Sequence, residues 1–511
     1  MPAPKREPEE PIDAMKNQVQ LIAYADRFGL GTLADLGRLL AGPLQDVFGA
    51  VHLLPFFDPI DGADAGFDPI DHTRVDPRLG RWSDVDTLSH QLDVMADVIV
   101  NHVSDRSPQF LDFYERGSAS AFNGMFLTRE SVYPAGASAA DLAKIYRPRP
   151  SQPFREIRLA TGDRLTLWTT FTQQQLDIDV THPKGREYLE RILAKLAANG
   201  VSMVRLDAVG YAIKRAGTSC FMLPETFTFI RDFAARGREF GIEVLVEVHA
   251  HYRRQIAIAA HVDWVYDFAL PPLVLHAFAF ATAAALKQWI LIRPTNAITV
   301  LDTHDGVGII DIGADPSDRA GLPGLVPPHE IDQLVEGIHQ RSLGQSRQAT
   351  GAAASNLDLY QVNCTFFDAL GGDERRYLLA RAIQFFLPGI PQVYYVGLLA
   401  GHNDMELLAR TGVGRDINRR YYSRADIETE LERPVVQDLL ALIRFRNRHP
   451  AFNGSFRLVE SPATMLVLRW EIADHFVELR VNLVDAGHEL ICSNATDAPA
   501  PQFRCGARSL Y

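Results

Sequence analysis

Eight short runs rich in β-branched and apolar residues recur along this chain, and stretches with helical character separate them. Strands that alternate with helices form parallel β–α units, and eight such units close into a (β/α)8 barrel. The runs cover residues 19–25, 50–57, 94–101, 201–209, 243–249, 264–270, 297–303 and 391–396. The sequence therefore predicts an α/β protein built on a TIM barrel, with its chemistry at the carboxyl ends of the strands.

Four of these runs end in ionisable or amide side chains. The endings are Asn101-His102 on the third run, Arg205 and Asp207 on the fourth, Glu247 and His249 on the fifth, and His304-Asp305 after the seventh. A single Asp or His at a strand end is more often structural than catalytic. Four polar endings in chain order indicate an active site, because these ends meet at one mouth of a barrel.

Two long inserts and a change of periodicity divide the chain. The second insert is rich in Gly, Pro, Ala and Asp, a composition typical of binding loops. Alternating runs near the end predict a C-terminal antiparallel β-domain. The predicted order is an N-terminal extension (1–14), barrel (15–101), inserted subdomain B (102–181), barrel (182–305), inserted subdomain B′ (306–371), barrel (372–451) and the β-domain (452–511).

Composition excludes several classes of function. The formal net charge of -12 disfavours nucleic acids and anionic membranes as partners. No apolar stretch reaches the roughly 18 residues that a membrane span needs, and residues 1–14 lack the apolar core of a signal peptide. The four cysteines include no closely spaced pair, so neither a disulfide framework nor a zinc site is predicted. We expect a cytoplasmic enzyme that acts on a small molecule.

The polar endings suit the retaining cleavage of a glycosidic bond, which needs a nucleophilic carboxylate and an acid about 5 Å apart. Asp207 fits the nucleophile, because Arg205 lies on the same strand face and favours its ionised form. Glu247 follows an apolar strand, a position suited to a proton donor. Asp305 and His304 can bind sugar hydroxyls and support a cationic transition state.

Two metal-binding alternatives are weaker. Glu247, His249 and His251 alternate along one predicted strand, whereas zincins place two histidines four residues apart on a helix. A second group is acidic enough to bind calcium, but its spacing does not match an EF-hand loop. It consists of Asp61, Asp64, Asp68 and Asp71. No glycine-rich phosphate cradle is present either, so we expect neither a metal nor an organic cofactor.

Longer motifs give the chain a family resemblance. They are Gly62-Ala-Asp-Ala-Gly-Phe-Asp-Pro-Ile-Asp-His72, Ile145-Tyr-Arg-Pro-Arg-Pro150, Arg205-Leu-Asp-Ala-Val-Gly-Tyr211, Ala354-Ser-Asn-Leu-Asp-Leu-Tyr-Gln361 and Gly414-Arg-Asp-Ile-Asn-Arg419. With these motifs the chain resembles the α-amylase superfamily of glycoside hydrolases and transglycosidases, from about residue 15 to residue 447. Within that superfamily it is most similar to the phosphorylases that act on sucrose.

The resemblance implies a reversible, retaining phosphorolysis of sucrose to α-D-glucose 1-phosphate and D-fructose. It makes Asp207 the nucleophile of a covalent β-glucosyl intermediate, Glu247 the acid/base and Asp305 the transition-state stabiliser. The implied sugar pocket comprises Asp64, Phe67, His102, Phe171, Gln175, Arg205, Tyr211, His249, His304 and Arg415. The implied acceptor and phosphate residues are Arg149, Asp358, Tyr360 and Gln361. Phosphate would be a co-substrate, and the implied assembly is a homodimer.

Three alternatives stay open at this point. A related phosphorylase could use another acceptor, giving activity on glucosylglycerate, glucosylglycerol or sucrose 6′-phosphate. A sucrose hydrolase or glucosyltransferase would let water or a polyol replace phosphate. Some members of the superfamily are inactive transporter subunits or scaffolds, but the presence of Asp207, Glu247 and Asp305 argues against that alternative.

Overall fold

The computed structural model describes residues 15–59, 61, 65–146, 152–315, 321–350 and 361–493. Eight parallel strands close into a barrel in which chain order is also spatial order. These strands are β1 (Gln20–Ala23), β2 (Ala50–Leu53), β3 (Asp93–Ile99), β4 (Val201–Asp207), β5 (Glu243–Val246), β6 (Trp264–Asp267), β7 (Ala297–Thr299) and β8 (Ile390–Tyr394). The predicted fold class is confirmed. Each strand begins within one residue of its predicted start and ends two to four residues before its predicted end.

Helices cover the outside of the barrel, and several begin with proline at a first-turn position, where its missing N–H costs no hydrogen bond. The described helices are Leu33–Ala41, Trp82–Ser89, Pro108–Arg116, Arg129–Val132, Ala139–Lys144, Pro183–Ala197, Pro224–Glu239, Tyr252–Ala259, Leu270–Phe280, Ala284–Ile292, Pro328–Arg341, Gln345–Thr350, Phe366–Ala369, Glu374–Phe385, Tyr395–Leu398, Met405–Thr411, Arg424–Leu431 and Pro434–Arg448. Single 3-10 turns cover Gly117–Ala119, Val209–Tyr211, Gly414–Asn418 and Pro450–Asn453. None of the helices in the described ranges is long and apolar enough to cross a membrane.

The loops at the carboxyl ends of the strands carry small antiparallel pairs that build the rim of the barrel mouth. After β2, Phe57–Pro59 pairs with Pro69–Val75. After β3, two pairs belong to the first insert: His102–Ser104 with Gln175–Asp177, and Phe154–Arg158 with Arg164–Trp168. After β7, Val307–Gly308 pairs with Gln361–Val362.

A four-stranded antiparallel sheet follows the last barrel helix, as the alternating pattern predicts. Its strands are Ser455–Val459, Met465–Ile472, His475–Asn482 and Gly487–Cys492. The sheet is attached to the barrel in part by Trp470, whose indole N–H donates to the carbonyl of Phe386 at 2.7 Å. Cys220 and Cys364 are buried free thiols, whereas Cys492 is disulfide-bonded, a bond that the spacing of the cysteines did not indicate. The exact domain boundaries stay predictions.

A buried histidine beside the mouth predicts acid sensitivity. His72 is fully buried, with Nδ1 2.6 Å from the hydroxyl of Tyr188, and burial lowers its pKa from 6.5 to about 3. The unfolded chain therefore binds this proton more readily than the folded chain. Its contribution to stability is full above about pH 6.5 and falls by up to about 1.4 kcal/mol per pH unit down to about pH 3. We expect His72→Gln to reduce the loss of stability between pH 7 and pH 5, measured by urea unfolding.

His90→Gln is the matched control for this experiment, because it replaces an exposed histidine. An identical slope in His72→Gln and the unmodified protein would contradict the assignment.

Candidate active site

Arg205 and Asp207 form the floor of the barrel mouth. They lie two residues apart on β4, so their side chains share one strand face. Nη1 of Arg205 donates to Oδ1 of Asp207 at 3.1 Å. Nη2 of the same guanidinium lies 3.8 Å from Oε2 of Glu247, which follows β5. One buried cation therefore lies between the two predicted catalytic carboxylates, and each of these carboxylates keeps a solvent-facing side (17% and 13% exposed).

Asp97 anchors that guanidinium from below. Its Oδ1 accepts from Nη1 of Arg205 at 2.5 Å, and its Oδ2 lies 3.1 Å from Nε2 of His52. Burial opposes the charge on Asp97, but Arg205 and His52 outweigh it and lower its pKa to about 2. Asp97 and His52 are not among the predicted site residues, although each is a polar residue inside an apolar strand, and that pattern is the signal that could have found them.

Asp305 lies beyond β7 in a cluster of positive charge. Its Oδ1 accepts from Nη1 of Arg415 at 2.5 Å and from Nη2 of Arg419 at 3.5 Å, and Nε2 of His304 lies 3.8 Å away. Burial opposes ionisation, but His304, Arg415 and Arg419 together hold the pKa of Asp305 well below its usual range. Arg415 is one of the predicted pocket residues. Arg419 is not among them, and its Nε also donates to the carbonyl of His304 at 2.8 Å.

Arg419 is fully buried, which predicts a structural cost when it is removed. Arg419→Met removes the guanidinium that donates to the carbonyl of His304, and it removes one of the two arginine donors to Asp305 among the described residues. We expect a loss of about 3 kcal/mol in the free energy of unfolding. Arg420→Met, one residue along, is the control: it loses a partly exposed cation–π contact with Tyr422, worth about 1 kcal/mol or less. Equal losses in urea unfolding would contradict this account of Arg419.

Phe67 joins both halves of the pocket. Its ring stacks on the imidazole of His304, with centroids 4.8 Å apart and planes 10° from parallel, and the guanidinium of Arg205 lies 5.5 Å from the ring centroid. Its carbonyl accepts from Nε2 of Gln175 at 3.0 Å and faces Nε2 of His102 at 3.1 Å, so that nitrogen carries a proton. Burial lowers the pKa of His304 to about 3, and this ring is therefore neutral near pH 7. These predicted pocket residues converge on one site.

An aromatic series leads from this pocket toward the first insert. Phe171 contacts His102 with ring centroids 5.2 Å apart, and Tyr211 meets Phe171 edge to face at 5.2 Å. Phe221 then packs on Tyr211 at 4.8 Å and on Tyr146 at 4.4 Å. Phe171 and Tyr211 were predicted to touch the substrate, whereas Phe221 and Tyr146 were given no individual role.

A buried lysine behind this series fixes the first insert to the barrel. Nζ of Lys214 lies 2.9 Å from Oδ1 of Asn101 and 2.7 Å from Oδ2 of Asp177, and it also donates to the carbonyl of Tyr211. Its side chain is 1% exposed. The loops after β3 and β4 and the strand Gln175–Asp177 therefore share one cation, a role that sequence analysis missed.

His249 lies on the far side of Glu247, with Nε2 3.9 Å from Oε1. Ligand atoms of Glu247, His249 and Asp305 all lie within 4.8 Å of one another. The predicted alternation of His251 with these residues is wrong, because β5 ends at Val246. His251 instead caps the helix Tyr252–Ala259, and its Nε2 faces the carbonyl of Pro323 at 3.1 Å.

Four predicted site residues lie outside the described residues: Asp64, Arg149, Asp358 and Tyr360. Gln361, the remaining predicted acceptor residue, is described and pairs with Gly308 in the second insert. Apart from Asp64, the residues of the predicted sugar pocket are described, whereas Gln361 is the one residue of the predicted acceptor set that the structure describes.

Comparisons with known proteins agree with this geometry. A family model for the α-amylase catalytic domain matches residues 46–238. The chain is 58% identical to a sucrose phosphorylase from Agrobacterium vitis, over 94% of this chain and 98% of that protein. It is 55% identical to a sucrose phosphorylase from Bifidobacterium adolescentis, over 89% and 90%. The crystal structure of sucrose 6F-phosphate phosphorylase from Thermoanaerobacter thermosaccharolyticum superposes with a TM-score of 0.87 at 37% identity, covering 95% of this chain and 97% of that one.

Proposed function

This chain belongs to the sucrose phosphorylases of the α-amylase superfamily, and we propose that it converts sucrose and phosphate reversibly into α-D-glucose 1-phosphate and fructose with retention at the anomeric carbon. The observation that carries the proposal is the shared guanidinium of Arg205, which lies between Asp207 and Glu247. That arrangement supports a nucleophile and an acid that act on one bond, as a retaining enzyme requires.

In the first step, a carboxylate oxygen of Asp207 attacks the anomeric carbon of the glucosyl unit, and the bond from that carbon to the fructosyl oxygen breaks. Glu247 donates its proton to the departing oxygen. Arg205 holds Asp207 in place through a charge-assisted hydrogen bond, and Asp97 holds Arg205. The attacking oxygen is therefore set before the substrate arrives, which lowers the entropic cost of the reaction.

Asp305 supports the positive charge that develops on the sugar ring. Arg415 and Arg419 keep this carboxylate ionised, and the neutral His304 can donate a hydrogen bond to a sugar hydroxyl beside it. A fixed anion acts most strongly in a site from which bulk water is excluded. Phe67, which stacks on His304, contributes to that exclusion.

In the second step, phosphate takes the place of fructose. A phosphate oxygen attacks the anomeric carbon, the ester bond to Asp207 breaks, and Glu247 accepts a proton where the attacking phosphate carries one. The second inversion restores the α configuration. Arg149, Asp358, Tyr360 and Gln361 are the proposed acceptor residues, on the strength of the motifs that contain them.

The test is to incubate the protein with sucrose, with and without phosphate, and to follow α-glucose 1-phosphate. We expect that product only with phosphate, and free glucose at a lower rate without it. Equal sucrose consumption in both arms, with only free glucose formed, would contradict the proposal. Parallel arms with sucrose 6′-phosphate, glucosylglycerol and glucosylglycerate test the alternative acceptors.

We also propose that the reaction needs no metal or organic cofactor, since every step above uses side chains of the chain and phosphate. Dialysis against EDTA is expected to leave the rate of glucose 1-phosphate formation unchanged. A loss of activity that a divalent cation restores would contradict this, and the group formed by Glu247, His249 and Asp305 would then be the first place to look. A cytoplasmic location and a homodimer stay predictions.

A further inference from the structure

The imidazole of His249 is held by a carboxylate from the second insert. Nδ1 of His249 lies 2.9 Å from Oδ2 of Asp311, and both side chains are buried. The ring stacks on Phe268 with centroids 3.8 Å apart and planes 16° from parallel. The other ring nitrogen, Nε2, lies 3.9 Å from Oε1 of Glu247.

Asp311 can act only as an acceptor in this arrangement. Its other oxygen accepts from the backbone N–H of Ala250 at 3.1 Å and from Nε2 of Gln255 at 2.8 Å. A carboxylate held by two other donors needs a proton on the facing nitrogen, so Nδ1 of His249 carries one. Any proton on Nε2 then makes the ring a cation that faces the acid/base.

The backbone of the second insert lies directly on this pair. A Cβ on Gly308 would lie 2.1 Å from Oδ2 of Asp311 and 2.7 Å from Nδ1 of His249, so only glycine fits at this position. Gly308 is also the strand partner of Gln361, the described acceptor residue. The His249–Asp311 contact is therefore packed against the antiparallel pair formed by Val307–Gly308 and Gln361–Val362, next in sequence to the proposed acceptor segment.

We propose that Asp311 is a positioning residue that keeps His249 cationic and aimed at the acceptor, so that phosphate rather than water resolves the glucosyl enzyme. This inference rests on the proposed function and deepens it. A cationic Nε2–H donates a charge-assisted hydrogen bond to phosphate, an advantage that a neutral water molecule does not share.

The charges around His249 agree with a cationic ring. Burial opposes protonation, but Asp311, Glu247 and Asp305 together raise the pKa of His249. Phe268 packs on the ring without charge, and burial raises the pKa of the nearby Cys364 thiol to about 12, so that group is neutral. As pH rises through the pKa of His249, the cation is lost, and the preference for phosphate over water is expected to fall with it.

The experiment compares Asp311→Asn with the unmodified protein at fixed sucrose and phosphate. We expect the ratio of glucose 1-phosphate to free glucose to fall about tenfold, the size of one charge-assisted hydrogen bond. We expect sucrose consumption without phosphate to change less. In NMR titrations of the free enzyme, with the His249 signal assigned by its loss in His249→Gln, its pKa is expected to be lower in Asp311→Asn. In the product-ratio experiment, phosphate has the same protonation state with Asp311→Asn as with the unmodified protein at a given pH, so the difference in product ratio comes from the enzyme.

Two further variants separate positioning from general damage. Asp311→Asn combined with His249→Gln is expected to have the same product ratio as His249→Gln alone, because Asp311 acts through that ring. Asp267→Asn removes another buried carboxylate, one paired with Arg293 at 2.7 Å, and should lower stability without changing the product ratio.

An unchanged product ratio and an unchanged His249 pKa in folded Asp311→Asn would overturn the inference, as would additive losses in the double variant. If Asp311→Asn does not fold, the unmodified protein decides: the product ratio must fall across the His249 titration, with the fall absent in His249→Gln. A protein that forms no glucose 1-phosphate at all overturns the proposed function instead, and a titration that shows His249 neutral at pH 7 overturns the inference separately.

Discussion

Asp207→Asn is expected to lower the rate of sucrose cleavage by roughly 10⁴-fold or more, because the amide cannot form the glucosyl ester through which both half-reactions pass. The substitution keeps the shape of the side chain and its place beside Arg205, so substrate binding should largely survive. Fructose release measures the first half-reaction, and glucose 1-phosphate measures the whole cycle. Both are expected to fall together.

The matched control for this loss is Asp267→Asn, which also replaces an Asp at the end of a barrel strand. Its carboxylate accepts from Trp289, Arg293 and the backbone N–H of Leu270, and these three residues are not part of the proposed site. Quenching the unmodified enzyme during turnover should trap a covalent glucosyl adduct on the peptide that contains residue 207, detected by mass spectrometry. An adduct on another residue, or fast turnover by Asp207→Asn, would exclude Asp207 as the nucleophile.

The barrel was predictable because its signal is local. Each strand is a short run of apolar residues, and its alternation or continuity can be read without knowing its neighbours. The strand ends were placed too late for a physical reason that β5 illustrates. Val248 and Ala250 are buried although they follow the last residue of the strand, Val246, so the apolar pattern continues into the loop. Burial and strand pairing coincide along the strand but not at its carboxyl end.

The carboxylates of the site were predictable for the same reason, as were Arg205 and Arg415, whereas two other supporting partners were not. Arg419 meets Asp305 across 114 residues of sequence, and Asp311 meets His249 across 62. Neither partner has a local pattern that distinguishes it from a surface arginine or a turn aspartate. Only closure of the barrel and the return of the second insert bring these charges together, and that depends on tertiary packing rather than on the spacing of residues.

The cation at Arg205 shows how support and chemistry are linked in this site. The Arg205 guanidinium contacts Asp207 and Glu247 on one side and Asp97 on the other. Burial opposes its charge, but these carboxylates raise the pKa of Arg205 well above the ordinary range. A permanently charged group between two carboxylates reduces their mutual repulsion. In the proposed mechanism, Asp207 stays ionised while Glu247 exchanges a proton during each turnover, which is the division of roles that a double displacement needs.

Glu247→Gln is expected to slow sucrose cleavage by roughly 10³-fold, because the fructosyl oxygen is a poor leaving group unless it is protonated. The size of the rate loss should depend on the leaving group of the glucosyl donor. α-Glucosyl fluoride releases fluoride without needing a full proton transfer, so the variant should still form the glucosyl enzyme from it, and burst release of fluoride measures that step. Glu243→Gln, at the opposite end of β5 where the carboxylate accepts from Trp264 at 2.6 Å, is the matched control and should cleave both donors. Equal losses on sucrose and on the fluoride would show that Glu247 holds the sugar or the fold rather than supplying the proton, since a structural defect cannot distinguish leaving groups.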